Sequence, residues 1–275
     1  MLPSSHTLHA TAALVMQWGY PAFSGRAKLF SDHLDLTAAQ DLIVACESEC
    51  PWYGEVIANR KTAIRHLASG FLRSVDGPVN VLIPAAGWSP LALELMEVSP
   101  HTLQVIELDI AGMEEKSKLY QEIAPDMADR IQCVTTDITS PDILARFLPD
   151  GTQSLLVILE GITYFMDSGW VEQLIQVCSG YQEAGYIIEY LLPASDIKPE
   201  RRHIADHVFS VVADACSCQP PVRYSPGLLR DIACRNGYTG FYTMTVREME
   251  RLRIRENQYF IDDRDGWIAV SMIRK

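Results

Sequence analysis

Between residues 79 and 192 short apolar runs alternate with helical stretches, and no other feature of the chain narrows its fold so far. Val79-Asn80-Val81-Leu82-Ile83 is the first run, followed by the breakers Pro84 and Gly87 and a helical stretch from Pro90 to Val98. Leu103 to Leu108 is a second strand and Ala111 to Ile123 a second helix. Arg130 to Thr135 is a third strand, and a helix with Pro at its start runs from Pro141 to Phe147. Ser154 to Glu160 is a fourth strand, Asp167 to Tyr181 a fourth helix, and Gly185 to Leu192 a fifth strand. Strands that alternate with helices form βαβ units, so they pair in parallel and both sheet faces are covered. The chain is expected to be an α/β protein.

The alternation then stops. Residues 193–226 are polar and read as an insertion, with Arg201, Arg202, His203 and His207 on a helix. A helix from Leu228 to Arg235 resumes the fold, and a strand follows from Gly240 to Val246. After a charged helix, Gln258 to Ile261 and Trp267 to Ile273 read as a C-terminal hairpin turning through Asp262-Asp263-Arg264-Asp265-Gly266. Residues 1–75 read as helical, with clear spacing over Thr37 to Cys46 and Glu55 to Phe71 and a cap signal at Asp35-Leu36-Thr37. The expected organisation is an N-terminal helical cap over residues 1–75 and a sheet domain over residues 76–275, with the insertion after strand five serving as a lid.

Charge excludes some partners. The chain carries 23 Lys and Arg against 35 Asp and Glu, a formal charge of −12. Nucleic-acid binding draws on Lys and Arg that neutralise phosphates. Arg247, Arg251, Arg253 and Arg255 are interleaved with Glu248, Glu250 and Glu256, the pattern of a solvated helix face. No run approaches the ~18 to 20 apolar residues of a membrane span. Met1 to Phe23 lacks a basic leader and a small-residue cleavage site, so no signal peptide is read there. The seven cysteines have no disulfide rhythm and read as reduced thiols in a cytoplasmic protein.

In a parallel sheet the ligand sits beyond the carboxyl ends of the strands. The chemistry-bearing residues collect there. The turn after strand one is Pro84-Ala85-Ala86-Gly87-Trp88-Ser89-Pro90, where Gly87 permits a tight turn and close backbone approach. Glu107 and Asp109 end strand two, ~20 residues on, where a carboxylate can accept both ribose hydroxyls of a nucleoside. Asp109 could instead cap the following helix, but its spacing and place in the topology favour the ribose role. Thr136-Asp137-Ile138 follows strand three: Asp137 can accept from an adenine amino group or cap a helix, and Ile138 can pack on a ring. Glu160, ahead of Gly161-Ile162-Thr163-Tyr164-Phe165, ends an apolar strand and requires a cationic or donating partner. His203 and His207 share a helix face near Cys216 and Cys218, but the spacing is not a standard zinc pattern and no metal site is assigned.

Together these segments resemble the leucine carboxyl methyltransferase family. The resemblance runs over about residues 55 to 192: Val81 to Gly87, Ile106-Glu107-Leu108-Asp109, Thr136-Asp137-Ile138 and Leu159 to Met166 follow one another in that family's order, and Ala58-Asn59-Arg60-Lys61 resembles its Asn-Arg signature. The resemblance implies a Rossmann-like, seven-stranded class I methyltransferase sheet that binds S-adenosylmethionine. By position, Arg60 would hold the methionine carboxylate, and Ala85, Gly87 and Trp88 would line the methionine and ribose. Asp109 or Glu107 would take the ribose hydroxyls, Asp137 and Ile138 would frame adenine, and Glu160 with Gly161 would meet the methionine amino group. Arg26 or Lys28 would close over the ligand. Tyr164, Tyr190 and Tyr20 are candidate catalytic aromatics, whose faces can lie against a sulfonium.

The implied activity is methyl transfer to a carboxylate or hydroxyl of a small metabolite or peptide, leaving S-adenosylhomocysteine. The first turn departs from the family's Gly-Ala-Gly-Leu-Asp, since Ala85, Trp88 and Ser89 stand at three of its positions. That crowding motivates an alternative in which the cofactor cyclises to azetidine-2-carboxylate and 5′-methylthioadenosine. A catalytically inactive ligand-binding homologue is the remaining alternative.

Overall fold

A computed structural model describes residues 6–99, 102–148, 153–181, 183–216 and 220–275. The strands are β1 (His6–Thr7), β2 (Leu34–Asp35), β3 (Val79–Pro84), β4 (Thr102–Asp109), β5 (Ile131–Thr135), β6 (Ser154–Leu159), β7 (Ala184–Leu191), β8 (Gly240–Thr245) and β9 (Ile268–Arg274). The N-terminal helices are α1 (Ala10–Gly19), α2 (Gly25–Asp32), α3 (Gln40–Glu47) and α4 (Tyr53–Ser74). Within the sheet region lie α5 (Leu91–Val98), α6 (Met113–Ile123), α7 (Pro125–Ala128) and α8 (Ser168–Val177). After it come α9 (Arg202–Cys216), α10 (Pro226–Arg235) and α11 (Val246–Ile254).

Seven strands form one sheet in the order β5-β4-β3-β6-β7-β9-β8, with β9 antiparallel to both its neighbours. This is the Rossmann-like α/β sheet expected for a class I methyltransferase fold. β3, β6 and β7 are buried along their whole length apart from the first residue of β6, because helices cover both faces. The chain runs outward from β3 through β4 to β5, then returns to pair β6 on the other side of β3. The connections therefore diverge at the carboxyl end of β3, and such a switch point opens a crevice between the flanking loops.

Two expectations need correction. Gln258 to Ile261 is not a strand, and the C-terminal antiparallel pair is β8 with β9, joined through α11. The cause is Glu250. Its buried carboxylate accepts the backbone N–H groups of Gln258, Tyr259 and Phe260 at 3.0 to 3.1 Å, the donors that a strand ladder would have used. The acidic segment after it folds as a loop whose Asp265 pairs with Lys198 at 2.7 Å. Residues Pro141–Arg146 form a 3-10 helix, not an α-helix.

The N-terminal helices meet the insertion. α9 packs on α1 and α3, while α4 lies against β7, β9 and α11. The insertion reaches the segment after β6, where Val222 N–H donates to the Tyr164 carbonyl at 2.8 Å. No helix among the described residues is long and apolar enough to cross a membrane.

Candidate functional site

The turn after β3 is shaped by two residues in the left-handed region, Ala85 at φ 54° and Gly87 at φ 51°. For alanine that conformation costs about 1 to 2 kcal/mol. An Ala85→Gly variant is therefore expected to gain up to about 1 kcal/mol, after the extra unfolded-state entropy of glycine is deducted; urea unfolding measures it. At Gly87 a Cβ would meet only the Asp109 carboxylate, at 4.0 Å. Asp109 fixes this turn: its Oδ2 accepts the Gly87 N–H at 2.8 Å and its Oδ1 accepts the Ile110 N–H at 2.7 Å. An ionised carboxylate has about four lone-pair sites, so two acceptor positions remain after these bonds.

Glu107 lies on the same strand two residues earlier, but its side chain is shut in. Glu107 and Lys116 are both 0% exposed and pair at 2.8 Å, and the Tyr120 hydroxyl donates to Glu107 at 3.2 Å. The Lys116 ammonium also donates to the Gly87 carbonyl at 2.9 Å. Burial pushes the Glu107 carboxyl up while Lys116 and Tyr120 pull it down. Glu107 thus supports the turn from beneath and is not presented to a ligand.

Across the switch point, the register Leu159↔Ile188 sets Glu160 beside Glu189. α4 brings two cations to them. Arg60 Nε stands 3.0 Å from Glu160 Oε1 without hydrogen-bond alignment, and Lys61 Nζ lies 2.9 Å from the same oxygen. Lys61 also donates to Ser89 Oγ at 2.9 Å, which latches α4 to the first turn. Burial raises the Glu160 carboxyl, but Lys61 and Arg60 outweigh it and hold the group below the usual carboxylate range. Glu189 is wholly buried on β7. It lies 3.5 Å from Arg60 Nη1, accepts the Gly161 N–H at 2.8 Å, and accepts the Tyr164 hydroxyl. Here burial prevails and the carboxyl is raised, against Arg60 and the Gly161 N–H.

Gly161 has φ 74°, and no heavy atom lies within 4 Å of where its Cβ would stand. Gly87 and Gly161 therefore both border open space at the carboxyl ends of β3 and β6. Gly161→Ala is expected to cost only the backbone strain of about 1 to 2 kcal/mol. A larger loss in thermal or urea unfolding would show that the space is not open.

The remaining expected residues divide. Asp137 is exposed, and its Oδ1 accepts the Thr139 N–H at 2.8 Å in a local turn, which holds the carboxyl low. Ile138 is buried beside it, with its carbonyl held by Trp170 Nε1 at 3.0 Å. Tyr164 joins the Arg60–Glu189 cluster, but Tyr190 does not. Tyr190 is on the opposite face of β7 from Glu189, fully buried, with its hydroxyl 2.9 Å from Ser271 Oγ. Tyr20 spends its hydroxyl on Asp32 at 2.7 Å on the cap surface. Trp88 packs toward the cap, near His6 and Phe30, with its indole against Gly112. Arg26 reaches from the cap to Asp126 of α7 at 3.0 Å, and Lys28 lies over the Tyr20 ring. His203 pairs with Glu49 and His207 with the Ala45 carbonyl; the Cys216 side chain and Cys218 lie outside the described residues.

Sequence reasoning missed four residues of this region. Glu189 carries the signal used for Glu160, a lone charge within an apolar strand, and was passed over; Lys61 has only its place beside Arg60 to mark it. Ile110 and Phe165 are 71% and 44% exposed, large apolar groups left in solvent beside Asp109 and Tyr164. Their signal is available in sequence, since each directly follows a residue already singled out.

No protein-family model matches the chain, and no curated protein matches it by sequence. Solved structures do. One is a provisionally assigned methyltransferase of Thermobifida fusca, 13% identical, with a TM-score of 0.61 over 99% of this chain and 96% of that one. Another is a DUF574 family protein of Streptomyces avermitilis, 17% identical, with a TM-score of 0.60 over 99% of this chain and 98% of that one. The chain shares their fold. The likeness spans the cap and insertion as well as the sheet, since nearly the whole of each chain is covered.

Proposed function

We propose that the chain is a methyltransferase that binds S-adenosylmethionine across the carboxyl ends of β3, β4 and β6 and methylates a carboxylate or hydroxyl of a small molecule or peptide. The observation that carries this reading is the Asp109 clamp. One carboxylate closes the glycine turn at the switch point and keeps two acceptor positions for a pair of ribose hydroxyls.

The donor set fits the rest of the molecule. Gly87 and Gly161 leave the space that a ligand backbone needs. Ile110 and Ile138 would cover the adenine, with the Asp137 carboxylate at its amino group. The methionine carboxylate and ammonium would enter between Arg60 and Glu160, exchanging one charge contact for two. Lys61 then keeps Glu160 ionised. The bound cofactor supplies an activated methyl, so this chain's contribution is positioning and electrostatics. Crowding of the first turn gave cyclisation its motive, and Trp88 does not crowd the open side, because its indole packs against Gly112.

Incubation with the cofactor and a metabolite extract tests the reading. Acceptor-dependent S-adenosylhomocysteine supports it. Methylthioadenosine formed from the cofactor alone supports cyclisation instead.

A further inference from the structure

Glu189 is a charge in the middle of a strand, wholly buried, with the Glu160 carboxylate as its neighbour. Packing does not ask for it. A carboxylate there is stable only through its partners, and each partner belongs to the site. Arg60 already has Glu160 at 3.0 Å, and the Gly161 N–H requires only an acceptor, which a neutral amide would supply. Besides the ion pair with Arg60 at 3.5 Å, the contact that favours a carboxylate over an amide is acceptance of the Tyr164 hydroxyl proton.

Tyr164 stands between the two halves of the site. It lies in the 3-10 turn Thr163–Phe165, which begins two residues after Gly161, and Thr163 Oγ1 anchors that turn to the Glu189 carbonyl at 2.6 Å. On its other side the ring meets Phe209 of α9 edge-on, with centroids 4.8 Å apart. Phe165 is 44% exposed and Phe209 half-buried, so aromatic rings flank the phenol. A hydroxyl can accept one proton while donating its own, and Tyr164 donates to a carboxylate.

We propose that Tyr164 and Glu189 form the proton-accepting pair of the site, and that the acceptor is therefore a hydroxyl on an aromatic or otherwise apolar body and not a carboxylate. This rests on the methyl-transfer reading. The acceptor's hydroxyl proton passes to Tyr164 Oη as the Tyr164 proton passes to Glu189 Oε1. The acceptor oxygen forms the new O–C bond, and the C–S bond breaks with its electron pair going to sulfur. The sulfonium charge and the Glu189 charge are both cancelled, and the proton leaves Glu189 for water when the products depart. A carboxylate acceptor is already ionised and would have no use for the pair. Tyr164 is the catalytic residue, and Glu189 acts through it.

The charged and titratable groups facing Glu189 are Arg60 and Tyr53 from α4 and Glu160 and Tyr164 from the segment after β6. Burial raises Glu189, so it must lose its proton to work, and activity is expected to fall as pH drops through that raised value. Glu189→Gln removes this limb.

The experiment compares wild type, Glu189→Gln and Tyr164→Phe with a panel of simple phenols and catechols and a matched panel of benzoates, following S-adenosylhomocysteine release. Expected is turnover of members of the hydroxyl panel only, with kcat reduced about 10²- to 10⁴-fold in both variants. The acid limb should vanish in Glu189→Gln, and calorimetric affinity for S-adenosylhomocysteine should stay within about threefold of wild type. Turnover of benzoates, an unchanged kcat or pH profile in both variants, or turnover of neither panel overturns the proposal. Retained by-product binding in any of those outcomes leaves the methyl-transfer site standing, so the two failures are distinguishable. If Glu189→Gln does not fold, Tyr164→Phe carries the kcat comparison alone, since it removes one hydroxyl and leaves the Gly161 and Arg60 contacts in place.

Discussion

Asp109→Ala is expected to lower affinity for S-adenosylhomocysteine at least 100-fold. Two losses combine. The variant removes the acceptor for both ribose hydroxyls, and charge-assisted hydrogen bonds are the stronger kind, with about 1.5 to 3 kcal/mol each as a working range. It also frees the Gly87 N–H, which Asp109 holds at 2.8 Å, so the turn itself loosens. Asp109→Asn separates the two. An amide keeps one acceptor oxygen for the turn or the ribose but presents a donor where the second hydroxyl would approach. An intermediate loss, about tenfold, is expected for Asn, and isothermal calorimetry checks both. If Asn and Ala bind as wild type does, Asp109 serves the turn alone and the ribose assignment fails.

Lys116→Met is expected to destabilise the fold by about 3 to 5 kcal/mol, because it strands a fully buried carboxylate. Lys116 and Glu107 are both 0% exposed, so solvent cannot compensate the missing charge. Lys116 further holds the Gly87 carbonyl at 2.9 Å, so the first turn should be disturbed along with the core. The double variant Lys116→Met, Glu107→Gln removes both charges and is expected to recover much of the loss, since apolar or neutral replacement of a buried pair is often neutral. Denaturant unfolding monitored by tryptophan fluorescence measures both. Equal stability of the single and double variants would show that the pair does not act as a unit.

The sheet was legible because its strands are buried on both faces. Continuous runs such as Leu155 to Leu159 announce themselves with no help from tertiary context. In the C-terminal segment β8, α11 and β9 were legible and Gln258 to Ile261 was not. Gln258 to Ile261 has strand-like residues, yet a single distant carboxylate, Glu250, takes its amides, and nothing local marks that competition. The candidate site shows the same division. Asp109, Gly87 and Gly161 are readable because each ends a strand or opens a turn at a fixed place in a βαβ unit. Glu107 and Asp109 share a strand face, and sequence cannot tell which is enclosed; Lys116, arriving from α6, decides it. Tyr190 and Glu189 are adjacent in sequence but face opposite sides of β7, so the residue that joins the site was the one passed over.

The central claim is that the crevice at the switch point between β3 and β6 receives S-adenosylmethionine. Isothermal calorimetry of the wild-type chain with S-adenosylhomocysteine tests it most directly. Saturable binding of one ligand per chain, lost in Asp109→Ala, is the expected result. An absence of binding heat at millimolar ligand, with the chain folded by circular dichroism, would contradict it.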